Sequence, residues 1–303
     1  MFSIRFWGVR GSIPCPANET TVYGGNTTCI EIRADDKLVI VDFGSGIRLL
    51  SGSIMENDFK KGDIDADVFL SHTHWDHIVG FPFFVPLFLP KSKIRIYGPF
   101  LPSGENLETI FKNLTSYNYW PISLSELSAQ IKFKQIHEQT INLGNGLKVT
   151  SKYLNHPVIC LGYRFEYQGK SIVTAFDTEP YWNLFPTDKN DPFYNEDAAL
   201  ESKRVVDEEN KKILKFIKDA DIVVYDSAYT EDEYINGKLN WGHSSYENAI
   251  ETGANANVKK IALFHHDPIR TDKALNEIEK KYCARKTGMP EIVLATEGQI
   301  LEA

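Results

Sequence analysis

Residues 71–77 read Ser71-His72-Thr73-His74-Trp75-Asp76-His77, directly after the apolar run Val68–Leu70 and just before the apolar stretch Ile78–Leu89. A short apolar run of that kind reads as a buried strand, and the polar cluster after it as the loop at the strand's end. In an extended turn the side chains of His72 and His74, two positions apart, point the same way and can share one tetrahedral ion. Asp76 and His77 are neighbours whose side chains diverge, which suits a second ion beside the first. Imidazole nitrogen and carboxylate oxygen are both good zinc donors, and a catalytic zinc keeps one position open for water. A chance surface cluster is the plainer alternative, and the strand-then-loop context speaks against it.

Two ions need more donors than one loop supplies, and the ends of later apolar runs offer them. His156 lies in Tyr153-Leu154-Asn155-His156-Pro157, Asp177 follows Thr174-Ala175-Phe176, and His265-His266 follow Ile261–Phe264. A carboxylate such as Asp177 can bridge two cations and offset their repulsion. Strand alternation sends His265 and His266 to opposite faces, so only one of them can face the metals. His265, which ends the apolar run, is the expected ligand.

Around these positions β-rich runs alternate with helical ones. Strands are expected at Ser3–Trp7, Cys29–Arg33, Leu38–Asp42, Asp67–Ser71, Ile94–Tyr97, Ile131–Ile136, Leu147–Leu154, Tyr163–Tyr167, Ser171–Phe176, Asp221–Asp226, Lys260–His265 and Glu291–Ala295. Two pairs form hairpins, turning at Asp35-Asp36 and at Gln168-Gly169-Lys170. Helices are expected at Leu107–Thr115, Ala198–Lys218, Ser244–Asn255 and Thr271–Lys281, the third opened by a Ser244/Glu247 capping box. The pattern predicts an α+β fold of two packed mixed sheets with helices outside. With no repeat or linker in view, residues 1–303 read as one domain carrying insertions at 100–128 and 180–218. The run Phe81–Leu89 reads as core beneath the His72–His77 loop, placed where it could also wall a pocket.

Bulk properties narrow the class. A 42% hydrophobic and 24% charged composition is that of a water-soluble globular chain, and a net charge of −8 argues against a general nucleic-acid or anionic-membrane binder. The opening Met1–Pro14 lacks the apolar core of an export signal, and no segment is apolar enough to cross a bilayer. The scattered Cys15, Cys29, Cys160 and Cys283 form no C-x-x-C pair, so free thiols in a reducing, cytoplasmic setting are expected.

The ordered set H-x-H-x-D-H at 72–77, preceded by Asp42 in Val39-Ile40-Val41-Asp42-Phe43-Gly44-Ser45-Gly46 and followed by His156, Asp177 and His265, resembles the metallo-β-lactamase superfamily. The resemblance runs from Ser3 to His265. It implies a four-layer αββα sandwich with two divalent ions at the mouth between the sheets. His72, His74 and His156 would hold one ion, Asp76, His77 and His265 the other, with Asp177 bridging and Asp42 orienting the ligand loop. Diiron members of the superfamily carry Glu where this chain has His74, so Zn²⁺, with Mn²⁺ as the alternative, is the expected metal.

Within the superfamily, Phe6-Trp7-Gly8-Val9-Arg10-Gly11-Ser12-Ile13-Pro14, Tyr23-Gly24-Gly25-Asn26-Thr27-Thr28-Cys29 and Trp241-Gly242-His243-Ser244-Ser245 resemble the branch of phosphoribosyl cyclic phosphodiesterases and ribonuclease Z. That resemblance gives His243 the role of protonating the leaving oxygen, a sensible task for an imidazole near neutral pH. The catalytic residues are then His243 and Asp76, acting with a hydroxide between the ions.

The chain departs from ribonuclease Z in two places. Only Pro157–Phe176 separates His156 from Asp177, leaving no room for a tRNA-grasping arm, and Tyr225-Asp226-Ser227-Ala228 stands in place of His-Glu-Ala-Thr. With the acidic charge, these lead to the expectation of a small or cyclic phosphodiester substrate, with neither tRNA nor membrane as a partner and a homodimer compatible. Arg10, Arg164 and Arg270 are the arginines that could grip an anion, though each reads first as a surface or structural residue and none is assigned to the site. Two rival readings are a thioester or lactone hydrolase on the same ligands, and a non-catalytic, metal-stabilised binding module.

Overall fold

The structure, a computed structural model, describes residues 1–284 and 287–303. Among the described residues there are fourteen strands: β1 (Phe2–Gly8), β2 (Cys29–Ala34), β3 (Lys37–Val41), β4 (Asp65–Phe69), β5 (Lys93–Pro99), β6 (Gln130–Ile136), β7 (Thr140–Gly144), β8 (Leu147–Leu154), β9 (Cys160–Tyr167), β10 (Lys170–Ala175), β11 (Ile222–Asp226), β12 (Lys260–Phe264), β13 (Glu291–Leu294) and β14 (Ile300–Glu302). They form two mixed seven-stranded sheets, ordered β14-β1-β2-β3-β4-β5-β6 and β13-β12-β11-β10-β9-β8-β7. The helices are α1 (Ile47–Asn57), α2 (Trp75–Ile78), α3 (Leu107–Leu114), α4 (Glu196–Ile217), α5 (Glu231–Ile235), α6 (Tyr246–Asn255) and α7 (Asp272–Tyr282). The α+β expectation holds.

Period-two alternation makes the layers. In β3, Val39 and Val41 join the core between the sheets, whereas Ile40 turns outward to pack beneath α1 with Leu50 and Ile54. In β4, Phe69 faces inward, stacked on Tyr97 at 4.6 Å and edge-on to Tyr163 at 5.1 Å from the opposite sheet. Val68 packs outward with Ile96 and Phe111. On the second sheet Val173, Val223 and Ile261 face outward beneath Ile213, Ile217, Ala249 and Leu275 of the covering helices. Helix, sheet, sheet, helix is the result.

Some elements differ from expectation. β7 is a short, half-exposed edge strand that sequence reading passed over, although Ile141 and Leu143 alternate with polar neighbours and pack against the core. β14 spans only Ile300–Glu302 and exists because it completes β1's edge. α1 interrupts its apolar face with Ser51, Gly52 and Ser53 and starts at Gly46 without a side-chain cap, so packing alone carries it. The helix after His243 is capped by Ser245, whose side chain accepts from Asn248 N–H at 3.0 Å. The expected cap, Ser244, instead donates to the Thr178 carbonyl at 2.6 Å. Both hairpins form; the second turns through Gln168 and Gly169, at φ 49° and 75°. Among the described residues no helix is long and apolar enough to cross a membrane, and all four cysteines are free.

Candidate metal centre

Five segments reach one mouth between the sheets: the ends of β3, β4, β10 and β12, and the turn after β8. Asp42, Asp177 and His265 are the residues at or just past three of those ends, and all three hold left-handed backbone, with φ of 64°, 55° and 65°. Non-glycine residues seldom adopt this conformation, and here it turns each side chain out of the strand's alternation and into the mouth. His265 is brought in this way. His266 faces the other direction, its Nε2 2.8 Å from the Ala295 carbonyl and its ring edge-on to Tyr23.

Two donor groups result. His72, His74 and His156 cluster with ring centroids 4.4–5.0 Å apart and an Nε2(His156)···Nδ1(His74) distance of 3.2 Å. Asp76, His77, Asp177 and His265 form the second: His77 Nε2 lies 3.2 Å from Asp76 Oδ2 and 3.3 Å from Asp177 Oδ1, and His265 Nε2 lies 3.4 Å from each of those oxygens. Asp177 faces both groups, its Oδ2 3.7 Å from His72 Nε2 and 4.0 Å from His156 Nε2. Space for this packing is made by glycine. A Cβ on Gly11 would sit 2.2 Å from the His265 ring, and one on Gly242 would sit 2.3 Å from His156 Nδ1.

The loop is braced from behind. Asp42 accepts from Ser71 N–H and Ser71 Oγ, both at 2.7 Å, and lies 2.7 Å from His77 Nδ1. The proton on His77 Nδ1 then goes to Asp42, which leaves Nε2 aimed at the mouth. Among the described residues His72 Nε2, His77 Nε2, His265 Nε2 and Asp177 Oδ1 are buried without any hydrogen-bond partner. Buried polar atoms are almost always paired, so four orphans converging on one point call for a ligand that is not protein. Burial, reinforced by His77, holds His72 well below the usual imidazole range, and burial takes His156 down to about 4. His77 is driven the other way: burial opposes it, but Asp177, Asp76 and Asp42 raise it well above that range. Neutral imidazoles on one side and carboxylates demanding positive charge on the other fit a pair of divalent transition ions.

His243 stands beside these groups, stacked on His265 at 4.7 Å and 5.4 Å from His156. Its Nδ1 is 2.8 Å from Asp226 Oδ2 at the end of β11. Burial depresses its pKa, yet Asp226 more than compensates, and the imidazole rises to about 9. The Asp226 carboxylate also accepts from Ser244 N–H at 3.1 Å and Thr178 N–H at 3.2 Å, so it is locked in place. Sequence reading saw Asp226 only as a departure from another pattern. The usable signal was a carboxylate ending an apolar run, as at Asp42. Glu179 was missed outright: it is buried, accepts from Gly242 N–H at 2.9 Å and Asn240 N–H at 2.8 Å, and so fixes the turn that delivers His243. Gly242 in turn lends its carbonyl to His156 Nδ1 at 3.0 Å.

None of the three arginines considered for anion binding joins the mouth. Arg10 is fully buried and spends Nε on the Gly24 carbonyl and Nη1 on the Arg270 carbonyl, at 2.7 and 2.6 Å. Arg164 holds the carbonyls of Phe216 and Lys218 at the end of α4, and Arg270 pairs with Glu233. His137 is exposed and lies outside the mouth.

Residues 22–115 match the family described as the Metallo-beta-lactamase superfamily. Ribonuclease Z of Clostridium tetani (strain Massachusetts / E88) is 24% identical over 300 residues, covering 90% of this chain and 90% of that protein. Among solved structures, the metallo-beta-lactamase fold protein YhfI from Bacillus subtilis has a TM-score of 0.64 at 19% identity, covering 100% of this chain and 99% of its own. The short form of human tRNase Z has a TM-score of 0.60 at 15% identity, covering 99% and 98%.

These relatives overturn the expectation of a small phosphodiester and no tRNA. Proteins similar along nine-tenths of the chain are named for cutting RNA. The earlier inference failed for physical reasons. Net charge sums the whole surface and is silent about the field in one cleft. The short Pro157–Phe176 connection, which is the β9–β10 hairpin, shows only that no arm lies between His156 and Asp177. The segment Tyr225–Ala228 keeps a carboxylate where His-Glu-Ala-Thr has one, and Asp226 applies it to His243.

Proposed function

We propose that this chain, a metal-dependent hydrolase on the metallo-β-lactamase fold, is a dinuclear phosphodiesterase acting on RNA. What carries the reading is the placement of the His243–Asp226 pair against two donor groups that share Asp177. His72, His74 and His156 would hold one divalent ion and Asp76, His77 and His265 the other, with Asp177 common to both. When bound, such ions supply Lewis acidity, lowering the pKa of water and neutralising charge that develops on phosphate oxygens.

The chain's own residues do the rest. Asp42 and Ser71 keep His77 in one tautomer, and the Ser12 N–H holds Asp76 Oδ2 at 2.7 Å, so neither donor has to reorganise. Asp226 occupies Nδ1 of His243 and keeps the ring protonated near neutral pH, leaving Nε2 as the nitrogen that gives its proton to the departing ribose oxygen. A thioester releases a thiolate that departs without a proton, so a poised acid of this kind favours an alkoxide leaving group over a thiolate.

The test is cleavage by the Zn²⁺- or Mn²⁺-loaded chain of four substrates: an RNA of tRNA type with a 3′ extension, bis(p-nitrophenyl) phosphate, a thioester and a lactone. Cleavage of the RNA and the phosphate diester, abolished by chelation, is the expected result. Turnover confined to the thioester or lactone would overturn it.

A further inference from the structure

Beside the metal loop lies a cavity of about 470 Å³, within the range of about 300–1,000 Å³ usual for small-ligand pockets. Trp75 comes from the His72–His77 loop itself, Phe83 from the turn after α2, Ile110 and Asn113 from α3, and Tyr119 and Trp120 from the segment beyond it. No residue lining it carries a charge. Its rim is aromatic and open: Trp75 is 71% exposed and Tyr119 77%. Phe83 and Trp120 stand edge to face at 4.9 Å and shape the wall between them. Nothing in the core needs these rings at the surface, and exposed aromatic clusters beside a catalytic mouth mark contact with a ligand.

We propose that this cavity is a nucleobase subsite, holding the base next to the phosphodiester that the metal centre cleaves; this rests on the phosphodiesterase reading above. The cavity adjoins the metal mouth across one loop: Thr73 and Trp75 line it, and His72, His74 and Asp76, their immediate neighbours in the chain, carry donor atoms of the mouth. A phosphate held at the mouth would have its neighbouring nucleoside within one loop's width of this cavity, with the exposed Trp75 ring at the rim between them. The lining suits that passenger. An uncharged aromatic slot rejects phosphate and ribose but accepts a planar ring by stacking, which tolerates any base because each has a π-face. Asn113, the one amide in the lining, can both donate to and accept from a base edge.

The probes are adenosine 5′-monophosphate and ribose 5-phosphate, titrated into the metal-loaded chain by calorimetry or tryptophan fluorescence. Both carry the same phosphate, so their ratio isolates the base. The wild-type chain should bind the nucleotide roughly tenfold more tightly, the range that base–aromatic stacking supports. Trp120→Ala and Tyr119→Ala should each collapse that ratio towards one. Tyr119 is exposed and packs no core, so its variant carries the test if Trp120→Ala fails to fold. Equal affinity in the wild type overturns the subsite, as does a ratio that survives both substitutions. A dimer in sedimentation that both variants dissociate, with no preference for the nucleotide, overturns it too and assigns the cavity to a second copy of the chain. The underlying reading is judged separately, by phosphodiester hydrolysis. A chain that hydrolyses without preferring the nucleotide loses only the subsite, and one that prefers the nucleotide without hydrolysing loses only the reading.

Discussion

In the mechanism proposed above, His243 and Asp226 would divide a proton-transfer task between them, and each substitution has its own signature. His243→Ala should retain its metals yet slow cleavage of an alkyl phosphodiester by roughly a hundredfold or more, the usual range for general acid catalysis. A p-nitrophenolate leaves without needing a proton, so the same variant should lose much less on that ester. Equal losses on both would make His243 a phosphate contact instead. Asp226 sets the pH range over which this acid works. Because His243 is raised to about 9, the proton it donates is present through neutrality and lost as pH rises through that value. Asp226→Asn removes the raising charge while burial, which lowers the pKa, remains. The falling limb of the pH–rate profile for an alkyl ester should therefore move to lower pH, and an unmoved limb would show that Asp226 only supports the fold. At this scale the sequence was informative for donors clustered along the chain, such as His72–His77. It was uninformative for Asp226 and Glu179, whose roles exist only where distant segments meet.

Strand ends carry more of this site than strand interiors. His265 and His266 do face opposite ways, but alternation is not the cause: β12 stops at Phe264 and the left-handed φ of 65° at His265 does the aiming. That geometry suggests a sharper substitution than alanine. Asn tolerates left-handed backbone better than most residues, so His265→Asn should keep the fold and lose an ion. His266→Ala should keep the metal and lose stability, because it removes a buried bond to Ala295 and the packing on Tyr23. Metal analysis with thermal melts checks both; metal lost from the His266 variant alone would reverse the assignment. The long apolar strands were legible because both faces of each sheet are covered, which makes their pattern strong. β7 and β14 were not, since the alternation of β7 rests on Ile141 and Leu143 alone and β14 is a three-residue closure. Left-handed turns at Asp42 and Asp177 had no signal either, as neither position is glycine.

At the scale of the molecule the donors come from both sheets, so bound metal should act as a clamp on the sandwich. The reconstituted chain should approach two equivalents of transition metal, and Asp76→Ala should fall towards one; a firm ceiling of one in the wild type would sink the dinuclear reading. Metal at about a hundred times its dissociation constant should stabilise the fold by about 2.7 kcal/mol, read as a higher melting temperature that chelator reverses. The architecture was legible from the order of motifs, whereas the substrate was not, because whole-chain charge and one short connection do not report a local surface. The spread of the donors has a consequence for biosynthesis. His72–His77 leave the ribosome long before His265, and β1 must wait for β14 to close its edge. A nascent chain therefore exposes a half-built cluster of imidazoles through most of its translation. On the dinuclear reading, loading with the second ion would be one of the last events in the protein's making, and a cell short of metal would accumulate finished chains with an open mouth rather than unfinished ones.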